Sequence, residues 1–252
     1  MLSVVLNLPV RLLLVLVAFS VLQVPRAQAQ QVVNLELVLL IDVSASVDDR
    51  EYALQAKGLG AAFADPNVLN AIQSISRGGM AVSVIQWANF ENQNRAIDWT
   101  LIRDKESALA FAGRLVDMPR LIHGGHTAIG DALAFARADL ASNAYTGQRK
   151  VIDLSGDGRS NDGRSLSEAR EAVLGDGIVL NALAILNEIP LLGNYFRDHL
   201  IGGAGAFLIT ASDYTDFARA IRLKLEQEIR AAPVARRIVP EPQNKQITAW
   251  KR

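Results

Sequence analysis

The sequence predicts an α/β fold with a doubly wound, mostly parallel central sheet of about six strands and helices on both faces. Apolar stretches alternate with amphipathic ones along most of the chain, which is typical of alternating strands and helices. The stretch 35–41 is almost continuously apolar, as in a strand buried on both faces of a parallel sheet. With 252 residues, half of them apolar, the chain can form one generous domain or two small ones.

Local signals define each predicted element in chain order. After the strand at 35–41, Asp48 and Glu51 supply a helix start, and Asp65 followed by Pro66 ends that helix. The later predicted elements are a strand at 81–87, a weaker strand at 96–100, helices at 104–118 and 127–143, a strand at 151–154, a helix at 165–174, strands at 178–185 and 206–210, and a final helix at 213–230 that Asp213 caps.

The N-terminus has the pattern of an export signal. Arg11 precedes the apolar stretch 12–24, Pro25 breaks the helix, and Ala27-Gln28-Ala29 offers small residues for cleavage. We therefore predict a signal peptide over 1–29 that is cleaved after Ala29, and a periplasmic or secreted protein. The alternative is an uncleaved anchor, but 13 helical residues span only about 20 Å of a ~30 Å hydrocarbon core. The mature chain is predicted to have no integral membrane span.

The rest of the chain divides into a domain at 33–230 and a flexible C-terminal tail at 231–252, where prolines and scattered charges leave no periodicity. The 26 basic and 26 acidic residues balance, so no strong field attracts nucleic acid. The chain contains no Cys, which excludes disulfides, thiolate metal sites and lipid-bearing cysteines.

Five oxygen-bearing side chains mark a candidate metal site: Asp42, Ser44, Ser46, Thr127 and Asp157. Asp42 and Asp157 each end a predicted strand, and Thr127 opens a predicted helix, which is where open α/β sheets bind ligands. Carboxylates and hydroxyls are hard ligands that favour Mg²⁺ or Mn²⁺. Two carboxylates and three neutral hydroxyls do not fully neutralise a hard divalent ion, and Mg²⁺ takes six oxygens and readily keeps waters. A position therefore stays open for an outside oxygen, and a carboxylate is favoured electrostatically.

Asp42-x-Ser44-x-Ser46, the distant Thr127 and Asp157 before a Gly resemble the complete metal-ion-dependent adhesion site of von Willebrand factor type A domains. The later half of the chain, with 195–199, 201–203 and 206–207, is similar to a bacterial branch of these domains, the family of unknown function DUF1194.

The resemblance implies a role for each of the five residues. Ser44, Ser46 and Thr127 would contact the metal directly, and Asp42 and Asp157 would bind it directly or through water. An acidic residue of a protein partner would complete the shell. The expected function is therefore that of an exported, divalent-metal-dependent protein-binding module without enzyme activity.

Other interpretations remain open. Each hydroxyl could simply cap a helix, and Asp157 could serve its turn. His123 and His126 flank two glycines, but they are too few for a zinc site and fit the rim of the metal face better. Asp42 and the segment 156–162 superficially resemble a phosphoryl-transfer hydrolase, although Ser44 stands where a second Asp is needed. A scaffold with an unused metal site is the third alternative.

Overall fold

The computed structural model describes residues 30–75 and 78–231, which form one sheet with helices on both faces. The strands are β1 (Gln31–Asp42), β2 (Met80–Trp87), β3 (Gln93–Ile102), β4 (Tyr145–Gly156), β5 (Val179–Ile185) and β6 (Leu208–Ala211). The helices are α1 (Asp49–Ala64), α2 (Pro66–Ser74), α3 (Lys105–Val116), α4 (Ile129–Ala141), α5 (Leu166–Gly175), α6 (Leu192–His199) and α7 (Phe217–Arg230).

The sheet has the order β3-β2-β1-β4-β5-β6, and only its edge strand β3 is antiparallel to its neighbour. This confirms the predicted α/β class and its mostly parallel sheet. β3 reverses direction because only the five residues 88–92 separate it from β2, and a parallel crossover needs a dozen or more.

Two apolar layers cover the sheet, and β1 contributes to both by alternation. Leu37 and Leu39 pack on one side with α1, α2, α3 and α7, whereas Val38 and Leu40 pack on the other side with α4, α5 and α6. Side chains alternate between the faces of a strand, so a continuously apolar strand is expected at the centre of such a sheet. The predicted strand at 35–41 lies there.

Several elements differ from the sequence-based prediction. The short helix α2 was missed, since Asp65 and Pro66 end α1 and also start α2: Asp65 accepts a hydrogen bond from the N–H of Asn67, and Pro66 takes the first helical position. The helix α6 was also missed. β4 begins at Tyr145 and not at 151. The prediction missed the first half of this strand because that half is only partly buried and carries polar residues.

Two predicted helix starts need correction. Thr127 lies just before α4, whose N-cap is Ala128, without a side-chain hydrogen bond. Asp213 closes the turn before α7 by accepting hydrogen bonds from the N–H groups of Thr215 and Asp216, and the N-cap itself is Asp216. Neither residue is the N-cap of its helix.

The predicted signal peptide at 1–29, and the predicted tail except Ala231, lie outside the described residues. Within 30–75 and 78–231, no helix is long and apolar enough to cross a bilayer.

Candidate metal centre

The five predicted residues lie at the carboxyl edge of the central strands. Asp42 is the last residue of β1, and Asp157 directly follows the neighbouring strand β4. The register aligns Ile41 with Ser155, so the ends of both strands meet at one level. Parallel strands send their carboxyl ends to the same side, and this brings together two acids that are far apart in sequence.

The first segment folds back on the carboxylate of Asp42. Its Oδ1 accepts a hydrogen bond from the backbone N–H of Ser44 at 2.9 Å. The Oγ atoms of Ser44 and Ser46 lie 3.2 Å apart. Asp42 and Ser44 are buried, whereas Ser46 is exposed. The three side chains thus lead from the interior to the surface, and Ser46 is the most accessible of them.

Asp157 is buried, and its two carboxylate oxygens are held by different donors. The Oγ of Ser46 donates to Oδ1 at 2.8 Å, and the hydroxyl of Tyr214 donates to Oδ2 at 3.0 Å. Ser46 therefore links the segment after β1 to the segment after β4. Asp42, Ser44, Ser46 and Asp157 form one connected cluster.

Thr127 is placed beside this cluster by the loop that follows Asp157. Its N–H donates to Oδ1 of Asn161 at 2.8 Å, and its carbonyl accepts from the N–H of Asn161 at 3.0 Å. A Cβ added to Gly158 would lie 3.4 Å from the Thr127 Oγ1, so the hydroxyl faces the residue that follows Asp157. All five predicted residues thus lie at one edge of the sheet.

The electrostatics of the cluster favour a bound cation. Burial, the larger cause, and the nearby carboxylate of Asp157 together raise the pKa of Asp42 to about 7. Burial also raises the pKa of Asp157, although the hydrogen bonds from Ser46 and Tyr214 act to lower it. Oδ2 of Asp42 is buried and has no hydrogen-bond partner among the described residues. Two buried carboxylates without a cation between them are costly, and a divalent ion would relieve the repulsion.

The donor set fits a hard ion. It offers carboxylate and hydroxyl oxygens, the ligands that suit Mg²⁺ and Mn²⁺. Across residues 30–75 and 78–231, no three His, Cys, Asp or Glu side chains come together in a way that could hold an ion. A cation at this edge would therefore depend on the three hydroxyls as well as on the two acids.

Arg120 is a residue near the site that sequence reasoning missed. Its guanidinium donates to the carbonyls of Val43 and Val47 at 3.2 and 2.8 Å, and its Nε donates to the carbonyl of Ile122 at 3.0 Å. It thus fastens the loop after β1 to the loop that leads to Thr127. A lone Arg after a Pro carries no sequence signal for this role.

Three further positioning residues were missed. Tyr214 holds Asp157, and Asn161 holds Thr127. Gln55 on α1 donates from Nε2 to the carbonyl of Asp42 at 3.0 Å. The partners of Tyr214 and Asn161 are 57 and 34 residues away in sequence, so only the fold reveals these contacts.

The loop at 123–126 borders the site. The carbonyl of Gly125 accepts a hydrogen bond from the N–H of Ala45, which lies between the two serines. Gly125 has φ of +109°, a conformation that side chains disfavour. His123 and His126 are exposed on either side of the glycines.

Several solved structures of other proteins have a similar fold. A von Willebrand factor type A protein from Catenulispora acidiphila matches with a TM-score of 0.55 and 22% identity over 78% of this chain and 43% of its own. Proximal thread matrix protein 1 from the mussel byssus, with a zinc-occupied adhesion-site motif, matches with a TM-score of 0.56 and 18% identity over 80% and 49% of the two chains. The pilus adhesin SpaC from Lactobacillus rhamnosus GG matches with a TM-score of 0.57 and 14% identity over 80% and 31%.

These similarities establish the fold of a von Willebrand factor type A domain. The chain spans less than half the length of each of these three proteins. At the level of family, the chain belongs to DUF1194, a protein family of unknown function whose model matches residues 32–233. No curated protein matches the chain.

Proposed function

We propose that this protein is an exported binding module that captures an acidic residue of a protein partner through Mg²⁺ or Mn²⁺. Ser44, Ser46 and Thr127 would supply hydroxyl ligands, and Asp42 and Asp157 would bind the ion directly or through water. The bound ion would supply an electrophilic position for an outside carboxylate. This function involves no enzymatic step.

The unpartnered Oδ2 of Asp42, buried close to a second carboxylate, carries the proposal. A buried acidic oxygen without a donor calls for a cation or a proton. The exposed Ser46 connects this interior charge to the surface, where a partner can reach it. The adhesin and the byssus protein with the same fold also support a binding role.

The burial of Asp42 disfavours the hydrolase alternative. A nucleophilic carboxylate must meet its substrate, and Asp42 is fully buried. The adjacent Gly156 also comes close: a Cβ there would lie 2.9 Å from Oδ2. This tight enclosure suits a fixed metal ligand better than a reacting group.

Metal binding is tested first, on protein expressed from the full sequence in a bacterial host and purified after export. Thermal unfolding is followed in Mg²⁺, in Mn²⁺ and in chelator. At a hundredfold excess over Kd, an ion that binds only the folded state adds about 2.7 kcal/mol of stability. We expect this shift for the wild type and not for Asp42→Ala or Asp157→Asn. The intact mass of the same sample reports whether cleavage occurs after Ala29.

Asp98→Ala is the matched control, because Asp98 is an exposed acid on the edge strand β3. It should respond to Mg²⁺ as the wild type does. If the wild type shows no shift in either ion, the metal-dependent proposal is wrong, and the scaffold alternative takes its place.

A further inference from the structure

Three buried ionisable side chains lie between α7 and the sheet, apart from the five residues of the metal centre. Nζ of Lys224 on α7 is 2.8 Å from Oδ1 of Asp153 on β4 and 3.1 Å from Oε1 of Glu228, which lies one turn further along α7. None of the three side chains is more than 1% exposed. We call them the Lys224 triad. Burying an ammonium and two carboxylates is costly, so the triad calls for a reason beyond packing.

The triad is close but poorly hydrogen-bonded. Within the described part of the chain, both carboxyl oxygens of Asp153 and Oε2 of Glu228 are buried without a hydrogen-bond partner. The amine of Lys224 thus lies 2.8 Å from Oδ1 of Asp153 outside the geometry of a hydrogen bond. A buried ion pair stabilises a fold only when further hydrogen bonds satisfy its oxygens, so this arrangement is poor as a salt bridge. It places a nitrogen nucleophile against a carboxyl group instead.

Glu228 is held where it can accept a proton from the amine. Its Oε1 accepts hydrogen bonds from Nζ of Lys224 at 3.1 Å and from Nδ2 of Asn181 at 2.7 Å. A second cation is close, since Nη1 of Arg149 donates to the backbone carbonyl of Glu228 at 2.9 Å. Burial lowers the pKa of Arg149, while the carboxylate of Glu228 acts to raise it. Arg149 therefore remains as a counter-ion for Glu228 when Lys224 loses its charge.

The surroundings of the amine favour uncharged groups. The centroid of the Phe207 ring is 4.8 Å from Nζ of Lys224, and the N–H of Phe207 donates to Oδ1 of Asn181 at 2.7 Å. Burial raises the pKa of Asp153 to about 7, although Lys224 acts to lower it. Near neutral pH, much of Asp153 is therefore a carboxylic acid, which is the form that an amine can attack.

We propose that Lys224 and Asp153 condense after folding into an amide (isopeptide) bond that joins α7 to β4, with Glu228 carrying the proton. Lys224 first passes one proton to Asp153, which leaves a neutral amine beside a carboxylic acid. Nζ then attacks Cγ of Asp153, so that an N–C bond forms. Glu228 takes a second proton from Nζ and gives it to the hydroxyl on Cγ, whose C–O bond breaks as water leaves.

The reaction balances without any other reagent. The ammonium has three hydrogens and the amide keeps one, so two hydrogens leave with one oxygen of the carboxylate as water. No electron is transferred. The charges of Lys224 and Asp153 disappear together, and Glu228 keeps Arg149 as its counter-ion. Burying an amide costs less than burying two ions, and this difference favours condensation.

The bond would stabilise a chain that contains no Cys. A link between positions 153 and 224 closes a long loop and limits the unfolded chain, as a disulfide does. It connects β4, which ends directly before Asp157, to the final helix α7. The bond does not depend on the metal, so this inference and the proposed function can fail independently.

Mass spectrometry of the denatured wild type tests the inference. The protein is expressed from the full sequence, and we expect its intact mass to be lower by one water than the mass calculated for the same chain. Trypsin cuts after Lys and Arg, so the digest should contain the peptide 151–159 joined to 223–230, without cleavage after Lys224. An ion pair would leave the full mass and separate peptides, because denaturation breaks it.

Single substitutions assign the roles. Lys224→Arg, which keeps the positive charge, and Asp153→Ala should both keep the full mass. Glu228→Gln retains the amine and the carboxyl but cannot accept the proton, so most of that protein should keep the full mass. Lys57→Arg is the matched control, since Lys57 is exposed on α1, and it should lose one water as the wild type does.

The outcomes separate clearly. Folded wild type with the full mass and two separate peptides overturns the inference, and so does a water lost between other peptides. Complete water loss in Glu228→Gln overturns the role of Glu228. The mass should be the same in Mg²⁺ and in chelator, so the result is independent of the metal centre. Asp153 can titrate only in molecules that have not condensed, and the intact mass identifies those molecules.

Discussion

The hydroxyl of Tyr214 donates a hydrogen bond to Oδ2 of Asp157 at 3.0 Å. It joins the segment before α7 to the turn after β4, while Ser46 holds the other oxygen of the same carboxylate. The buried Tyr214 thus fixes which oxygen of Asp157 faces the two serines. The pKa of the Tyr214 hydroxyl is raised by burial and by the nearby Asp157 and Asp42, so it stays a donor.

Tyr214→Phe is therefore expected to weaken Mg²⁺ binding while keeping the fold. Loss of a residue that orients a metal ligand typically costs about 10- to 100-fold in affinity. Without metal, the loss of a hydrogen bond to a buried carboxylate should lower the free energy of unfolding by about 1.5–3 kcal/mol. Mg²⁺ titrations followed by thermal unfolding measure both effects.

Tyr195→Phe serves as the control for that change. Tyr195 lies on α6, and its ring packs near Arg159 and His199, outside the metal cluster. It should leave the Mg²⁺ response unchanged. An equal Mg²⁺ affinity in Tyr214→Phe and the wild type would show that Tyr214 does not orient Asp157 for the ion.

Arg120→Ala should impair both stability and metal binding. Its nearly buried side chain donates to three backbone carbonyls and contacts Asp49. Leaving those carbonyls without a donor costs about 1–3 kcal/mol and frees the loop of the two serines. Denaturant unfolding gives the first effect, and the Mg²⁺-dependent shift gives the second.

Arg120→Lys tests whether geometry matters beyond charge. A single ammonium cannot reproduce the planar fork that reaches the loops on both sides, so the Mg²⁺ shift should stay reduced. Arg114→Ala, at an exposed position of α3, should behave as the wild type. Full Mg²⁺ affinity in Arg120→Ala would contradict the positioning role.

Gly156→Ala should disturb the site through a single methyl group. An added Cβ would lie 2.9 Å from Oδ2 of Asp42 and 3.6 Å from the ring of Trp87. The distance to the oxygen is shorter than an ordinary van der Waals contact. Because the surroundings are buried, we expect overpacking to cost about 1–3 kcal/mol and Asp42 to move. The Mg²⁺-dependent shift in unfolding temperature should then fall.

The comparison for this change is Gly113→Ala. A Cβ at Gly113 meets nothing within 4 Å, and the position is inside α3. Ala is a better helix former there, so stability should rise by about 0.5–1 kcal/mol with Mg²⁺ binding intact. If Gly156→Ala binds Mg²⁺ as tightly as Gly113→Ala, the close approach to Asp42 is not required.

A buried charge cluster connects α7 to the sheet. Nζ of Lys224 lies 2.8 Å from Oδ1 of Asp153 on β4 and 3.1 Å from Oε1 of Glu228, and all three side chains are buried. Asn181 on β5 donates to the same Oε1 of Glu228 at 2.7 Å. Two carboxylates thus share one ammonium, and burial raises the pKa of Asp153 to about 7 in spite of Lys224.

This cluster predicts a pH dependence of stability in the metal-free protein. The pKa of Asp153 is higher when folded than its ordinary value of 3.8, so the folded state holds an extra proton. The stabilisation that this proton gives to the folded state is complete below about pH 4 and is lost as the pH rises to about 7. Asp153→Asn removes it and leaves Lys224 paired with Glu228.

The unfolding free energy of Asp153→Asn should therefore improve relative to the wild type as the pH rises from about 4 to about 7. Denaturant unfolding of both proteins in chelator, across that range, measures the difference. Asp98→Asn, at an exposed position, is the reference for a surface acid. A difference between Asp153→Asn and the wild type that stays constant with pH would contradict a raised pKa.

Local patterns were sufficient to predict the central strands and most helices. β1 and β5 are mostly apolar because they are buried on both faces, and α1 begins directly after Asp48 because that side chain caps it. The prediction was incomplete at the polar start of β4 and at α2 and α6, which are short and lie next to other elements. Their formation depends on tertiary packing, which the local hydrophobic periodicity of the sequence does not show.

The sequence by itself was sufficient to predict the α/β class and to identify five oxygen-bearing residues at one edge of the sheet. This was possible because the carboxyl ends of buried parallel strands meet at the same edge. Tertiary structure alone decided how those residues are held. Tyr214, Arg120 and Asn161 reach the site from distant segments, and their contacts depend on loop paths and not on spacing.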